Sequence, residues 1–323
     1  MSTPRRVMIT GGLGFIGHHL ALTLNERGHE VFITDCLYHH LSDRKYNDFI
    51  LERVQMVRNA GIPIEIADVR DVDRMRQLLE LYNPDTLVHL AATANAMLCN
   101  KNPREGVDMG LMSYCSCLNA IQQYRKPVHV VYYSSSMVYG NFISDEVNED
   151  SPTNPINVYG ASKLSCETFS KAYGFAYDFP YTIVRPSALY GPRCINRRIT
   201  QIFIENILAG KGLTVMGDGE SRLDFTDVRD LCNGTALIVE KPEESSNQTF
   251  NLTYGVGRSI ASLLDILHEE FGEFEVTHKP QDKCVPKRGT LNIDRIKRML
   301  GYEPLYPLEI GYRDLINHYR QRS

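Results

Sequence analysis

The stretch from Arg6 to Gly28 constrains this chain more than any other. Arg6 to Thr10 reads as a short buried strand. Gly11-Gly12-Leu13-Gly14-Phe15-Ile16-Gly17 follows at once, and a helical pattern from His18 to Arg27 ends at Gly28. Strand, glycine turn and helix, in that order, form the context that a dinucleotide fingerprint requires. Glycines at 11, 14 and 17 let the turn close, let backbone N–H groups approach a pyrophosphate, and let the helix pack on the strand.

The following segments extend the pattern. Glu30 to Thr34 reads as a second strand and ends in Asp35, eighteen residues beyond Gly17. A carboxylate there accepts bonds from the adenosine ribose hydroxyls and repels a 2′-phosphate; with no Arg beside it in sequence, NAD is favoured over NADP. Between Tyr38 and Gly61 a helical pattern runs through Phe49, Ile50, Val54 and Val57. A third strand, Pro63 to Ala67, leads into Asp68-Val69, whose carboxylate suits the adenine amino group. A helix from Asp71 to Tyr82 stops at Asn83-Pro84. The fourth strand, Thr86 to Leu90, runs into Ala91-Ala92, small enough for backbone to lie close to a cofactor. His89 within that strand reads as a core residue. Pro103 to Arg125 is expected to be helical, with Val128 to Tyr132 a fifth strand and Tyr181 to Val184 a sixth. Strands alternating with helices at this spacing predict an α/β fold with a parallel, doubly wound sheet, whose ligands sit beyond the carboxyl ends of the strands.

Composition removes other classes. The net charge of −4 and 23% charged residues imply neither a basic surface for nucleic acid nor a polybasic membrane patch. No apolar run approaches a membrane span, and Met1 to Arg6 lead into the first strand without a signal-peptide pattern; a cytoplasmic protein is expected. The eight cysteines show neither zinc-ligand spacing nor a disulfide framework, so no metal is expected. The 323 residues suit one large domain or two intimately joined ones.

Chemistry is carried by Tyr159-Gly160-Ala161-Ser162-Lys163. A Tyr and a Lys at i and i+4 share one helix face. A free phenol titrates at about 10, too high for a base near neutrality, and a neighbouring ammonium favours the phenolate. The pair alone is a weak signal, since an amphipathic helix with an exposed Lys gives the same spacing. Its weight comes from the company it keeps: the glycine turn, and Ser134-Ser135-Ser136 at the end of the fifth strand.

With these residues the chain resembles the extended short-chain dehydrogenase/reductase family, in its NAD-dependent sugar-nucleotide epimerase/dehydratase branch, and is similar to UDP-glucose and UDP-glucuronate 4-epimerases. The motifs are Thr10 to Gly17, His89-Leu-Ala-Ala92, Ser134-Ser-Ser-Met-Val-Tyr-Gly140, Tyr159 to Lys163, Arg185-Pro-Ser-Ala-Leu-Tyr-Gly-Pro-Arg193, Gly217-Asp-Gly219, Asp224-Phe-Thr226 and Arg288-Gly289. The resemblance implies a Rossmann-type sheet over residues 1–185, with 226–254 returning to it. A smaller interleaved C-terminal α/β substrate lobe is implied over 186–225 and 255–323.

Roles follow from the same resemblance. Tyr159 is the implied acid–base, Lys163 holds the nicotinamide ribose, and Ser135 bonds the reacting hydroxyl, with Ser136 beside it. Pro186 borders the nicotinamide, while Leu90, Ala91 and Ala92 line the cofactor. Arg193, Arg222 and Arg288 are candidates for the substrate diphosphate, because a planar fork of donors matches phosphate oxygens. A homodimer through the helices at 103–125 and 157–174 is also implied.

The reaction is narrowed by what precedes Val138-Tyr139-Gly140. Dehydratases and decarboxylases of this branch carry an acid there, where this chain has Ser136 and Met137. An epimerase acting at C4 on a nucleotide-sugar partner is therefore expected. A one-way oxidoreductase or a C2 epimerase uses the same Ser, Tyr and Lys and stays open. A non-catalytic dinucleotide-binding sensor or scaffold usually lacks the Tyr or the Lys. Two departures from the family pattern stand out: Ala188 and Gly110 where Asn is usual.

Overall fold

A computed structural model describes residues 3–38 and 46–322. Seven parallel strands form the central sheet: β1 (Arg6–Thr10), β2 (Glu30–Asp35), β3 (Ile64–Ile66), β4 (Thr86–His89), β5 (His129–Tyr133), β6 (Tyr181–Arg185) and β7 (Gln248–Asn251), in the order β7-β6-β5-β4-β1-β2-β3. The chain starts in the middle of the sheet, builds outward through β2 and β3, then returns to β4 on the other side of β1. Between β1 and β4 the winding reverses, and a crevice opens beyond the strand ends.

Near-continuous apolar runs make the inner strands, because helices cover both faces of the sheet, while the edge strands β3 (Ile-Glu-Ile) and β7 (Gln-Thr-Phe-Asn) are more polar. Val7 and Ile9 point into one core with Leu20 and Leu24 of the helix Phe15–Glu26, whereas Met8 points into the other with Leu78, Leu118 and Val130. That two-residue alternation gives the sheet two buried faces. A third core, containing Phe203, Leu213, Phe225, Leu263 and Leu315, belongs to the smaller C-terminal part. There the helices Ile199–Leu208, Ile260–Phe271 and Leu308–Arg320 pack with a parallel strand pair, Leu213–Met216 and Val276–Lys279.

Most expected elements are observed within a residue or two of their predicted ends, and the return to the sheet near Thr249 is β7, parallel to β6. Of the Tyr38–Gly61 pattern, the helix Asn47–Asn59 is observed, while residues 39–45 lie outside the described part. Two readings differ. Residues 293–302, expected in the C-terminal lobe, place Ile293, Ile296, Leu300 and Tyr302 in the core of the main sheet. The helix expected over 103–125 is interrupted by a π turn, Asp108–Met112, between Pro103–Val107 and Ser113–Tyr124. Gly110 lies in that turn, and the Ser113 hydroxyl donates to the carbonyls of Met109 (2.8 Å) and Gly110 (3.0 Å). A side chain reaching into the backbone ladder is a recognised cause of such a break. Among the described residues, no helix is long and apolar enough to cross a membrane.

Two sheet histidines tie the fold to pH. His89 pairs with the Thr10 hydroxyl (3.0 Å) and His129 with that of Thr182 (2.7 Å), both fully enclosed. Burial pushes them down to about 3 and about 4. An unfolded His binds its proton near 6.5, so the unfolded state gains protons first as pH falls. Stability should therefore decline below about pH 6.5, each His adding about 1.4 kcal/mol per pH unit until its folded value is reached. Urea midpoints between pH 7 and 4.5 should fall, and His89→Gln with His129→Gln should flatten that slope.

Candidate active site

The first cavity is built on the glycine turn. Gly11 has a φ of +69°, and a Cβ there would lie 2.8 Å from the Ala91 backbone nitrogen. At Gly17 a Cβ would meet the Gly11 carbonyl oxygen at 2.4 Å. Side chains at these positions would push β1, β4 and the helix apart. Gly14 is the N-cap of the helix Phe15–Glu26, with neither a side-chain cap nor an acid in its first turn. Its leading N–H groups are thus free for an anion.

Around this turn the cavity walls are Gly11, Gly14, Phe15, Ile16, Gly17, Asp35, Asp68, Val69, Leu90, Ala91 and Ala92, as expected for a cofactor cleft, joined by Tyr46 and Arg53. Asp35 accepts from the Leu13 N–H (3.0 Å) and the Leu37 N–H (2.8 Å), which fix its carboxylate at the rim. Asp68 is gripped by Arg70 at 2.7 Å, which holds its carboxyl below the usual range. Arg53, fully buried, donates to the carbonyls of Leu13 (3.0 Å) and Arg193. It stands beside the cleft although no Arg adjoins Asp35 in sequence.

A second cavity continues from the first, sharing Ile16, Leu90, Ala92 and Arg198, and is lined by Ser134, Ser135, Ser136, Met137, Tyr159, Lys163, Pro186, Ala188 and Arg288 among others. Tyr159 and Lys163 lie on the helix Val158–Tyr177, which Asn157 caps by accepting from the Gly160 N–H (2.8 Å). The Lys163 ammonium is buried. It donates to the Tyr133 carbonyl (2.7 Å) and sits 5.8 Å from the centre of the Tyr159 ring. Ser135 opens a short 3-10 turn, Ser136–Tyr139, its hydroxyl accepting from the Met137 N–H at 3.2 Å. Ser136 donates to the Ser187 hydroxyl (3.2 Å).

The three arginines expected at the substrate part company. Arg288 lines the second cavity; its Nε is buried without a hydrogen-bond partner among the described residues, and burial beside the Arg198 guanidinium pushes it down to about 10. Arg193 instead turns its Nε to His18 (3.2 Å), and Arg222 is exposed, donating to the Gly257 carbonyl (2.6 Å); neither lines these two cavities. Arg198, absent from the sequence-based set, lines both cavities with its Nε unpaired. One signal was available. Arg198 is the N-cap of the helix Ile199–Leu208, where the dipole disfavours a cation, so its retention there needs another reason.

Of the two departures from the family pattern, Gly110 has a local explanation and Ala188 has none. A Cβ at Gly110 would lie 2.7 Å from the Ser162 hydroxyl, so this serine fills the space a side chain would need. Ala188 has a φ of +35°, a region that Asn tolerates better than Ala.

A doubly wound sheet with a glycine turn at its switch point defines a dinucleotide-binding protein. Residues 7–253 match the NAD dependent epimerase/dehydratase family, and the chain belongs to that family; its cofactor is accordingly NAD. A putative UDP-glucose 4-epimerase of Methanocaldococcus jannaschii is 28% identical over 96% of this chain and 97% of its own length. The Thermus thermophilus UDP-glucose 4-epimerase, solved with NAD, superposes with a TM-score of 0.86 at 26% identity, over 98% of this chain and 100% of that one. A dTDP-glucose 4,6-dehydratase of Streptomyces venezuelae, also solved with NAD, gives 0.86 at 26% identity over 98% and 97%. The relatives thus include both epimerases and a dehydratase.

The glycine geometry carries a direct test. Gly11→Ala should weaken NAD binding at least ~100-fold by calorimetry, since the strained φ and the Ala91 backbone leave the new methyl no place. Undiminished affinity would place the dinucleotide elsewhere.

Proposed function

We propose that the protein is a sugar-nucleotide epimerase, acting at C4 of the sugar of a nucleoside-diphosphate sugar. One observation carries this reading over dehydration: among the described residues, no Asp or Glu lines the cavity holding Ser135, Tyr159 and Lys163. Removing water from a sugar calls for an additional acid and base near the ring; Met137 offers neither. Of the two tyrosines on those walls among the described residues, Tyr133 has its hydroxyl bonded to that of Thr235, so Tyr159 is left to move one hydroxyl proton out and back.

NAD, when bound, supplies the acceptor and donor for the electrons of the sugar carbon. The chain's own groups do the rest. The Tyr159 oxygen takes the proton of the sugar hydroxyl and later returns it, as general base and then general acid. Lys163 holds positive charge beside that phenol, stabilising it while it is ionised. Ser135 hydrogen-bonds the same hydroxyl oxygen and fixes its direction. Arg288, with Arg198, holds the nucleotide's phosphates, so that a sugar free to turn stays within the cleft. Gly11, Gly14, Gly17, Asp35, Asp68, Val69, Leu90, Ala91, Ala92 and Pro186 hold the cofactor in this reading, with Phe15 and Ile16 at the turn.

Residues 1–185 with 226–254 serve the cofactor, and 186–225 with 255–323 serve the sugar nucleotide, apart from the 293–302 stretch that packs under the sheet. A homodimer is proposed through the helices that carry Met112 and Phe169, both exposed apolar residues.

Tyr159→Phe should lower turnover by about 10²–10⁴-fold while NAD affinity stays within about threefold. Incubation with NAD and a panel of sugar nucleotides should give a product of unchanged mass. A product lighter by one water would assign dehydration instead, and one lighter by carbon dioxide decarboxylation.

A further inference from the structure

We propose that Glu167 and Ser134 are positioning residues that set the spacing between Ser135 and Tyr159; the inference rests on the epimerase reading of those two groups. Lys163 and Glu167 follow Tyr159 on the same face of the helix Val158–Tyr177, one turn apart. Each grips the end of β5. The Lys163 ammonium donates to the carbonyl of Tyr133 (2.7 Å), and the Glu167 carboxylate accepts from the hydroxyl of the next residue, Ser134 (2.5 Å). Ser135 comes one residue later. The helix and the strand end are thus pinned at two successive rungs, directly beside the site.

The same carboxylate holds the neighbouring strand. Arg185, the last residue of β6, donates to it from Nε (2.9 Å) and from its terminal nitrogen (2.7 Å). Its other terminal nitrogen donates to the Tyr139 hydroxyl (2.9 Å), which in turn donates to Asn251 at the end of β7 (2.7 Å). Tyr139 closes the 3-10 turn that Ser135 opens. The helix bearing Tyr159, both sides of the Ser135 turn and the ends of β5, β6 and β7 therefore meet at one buried, charge-assisted junction. Glu167 and Arg185 are only 1% and 3% exposed, so water does not soften it.

Stability alone does not explain such a junction. Apolar groups of similar volume often replace a buried ion pair at no loss of stability, whereas charge-assisted bonds of this kind fix direction. A small error in the placement of reacting groups lowers turnover steeply.

The test uses the full chain with NAD bound. Ser134→Ala removes one hydroxyl and leaves the ion pair. We expect kcat to fall about 10–100-fold with KM little changed, and the melting midpoint to stay within about 2 °C. A second variant, Ser134→Ala/Glu167→Leu/Arg185→Met, replaces the junction by apolar packing; it should keep the wild-type melting midpoint within about 2 °C and still show the lowered turnover. Wild-type kcat in Ser134→Ala, or recovery of kcat together with stability in the triple variant, overturns the proposal. Amide exchange supplies a readout that needs no substrate. In Ser134→Ala, residues 135–139 should exchange about tenfold faster, and unchanged exchange also overturns the proposal. An inert wild type would overturn the epimerase reading instead, and the exchange result would still decide whether the tie exists.

Discussion

Everything in this molecule that bears on chemistry depends on how closely three pieces of backbone approach at the switch point of the sheet. The turn after β1 lies against the residues after β4 because Gly11 has no side chain to hold Ala91 away. The same turn lies against itself because Gly17 has none to hold Gly11 away. This contact leaves the helix N-terminus bare over the crevice. It also brings Ile16 and Leu90 to the place where the two cavities join. A single methyl at Gly11 would meet the Ala91 backbone nitrogen at 2.8 Å and force β1 and β4 apart at this point.

Charge is distributed in the cleft with equal economy. Asp35 and Asp68 line the first cavity alongside Arg53, Arg197 and Arg198, while among the described residues the walls of the second carry Lys163, Arg198 and Arg288 with no acid. Two guanidinium Nε atoms left unpaired in one buried space are costly without a ligand, because no counter-charge offsets their desolvation. An anion entering between them is favoured for that reason. The downward push on Arg288 from its neighbour Arg198 has the same origin, after burial itself.

Much of this was legible in the residues. The sheet could be read because its inner strands are buried on both faces and so appear as nearly unbroken apolar runs, and the turn because only glycine satisfies it. Tyr159 and Lys163 were legible from helical spacing once a dinucleotide fold surrounded them. Arginines were the hardest to read. Arg193, Arg198 and Arg222 look alike in a chain, and which one enters the cleft depends on loop geometry between β6 and the helix Ile199–Leu208. In that loop Ala188, Arg193 and Arg197 all adopt positive φ, which no local pattern announces. The π turn was equally hidden. It arises from a serine three residues past a glycine, a pairing that ordinary helices also contain.

The charge at Glu167 was invisible for a different reason. On a helix face with Tyr159 and Lys163, an acid at i+4 from a lysine looks like a surface pair of small worth. In the fold these two side chains do not serve each other: Lys163 reaches Tyr133 and Glu167 reaches Ser134 and Arg185. Each has exchanged a near neighbour on its own helix for a partner on the sheet. An attraction that would have stiffened one helix instead joins that helix to β5 and β6. The positions of Tyr159 and Ser135 then follow from one body rather than from two.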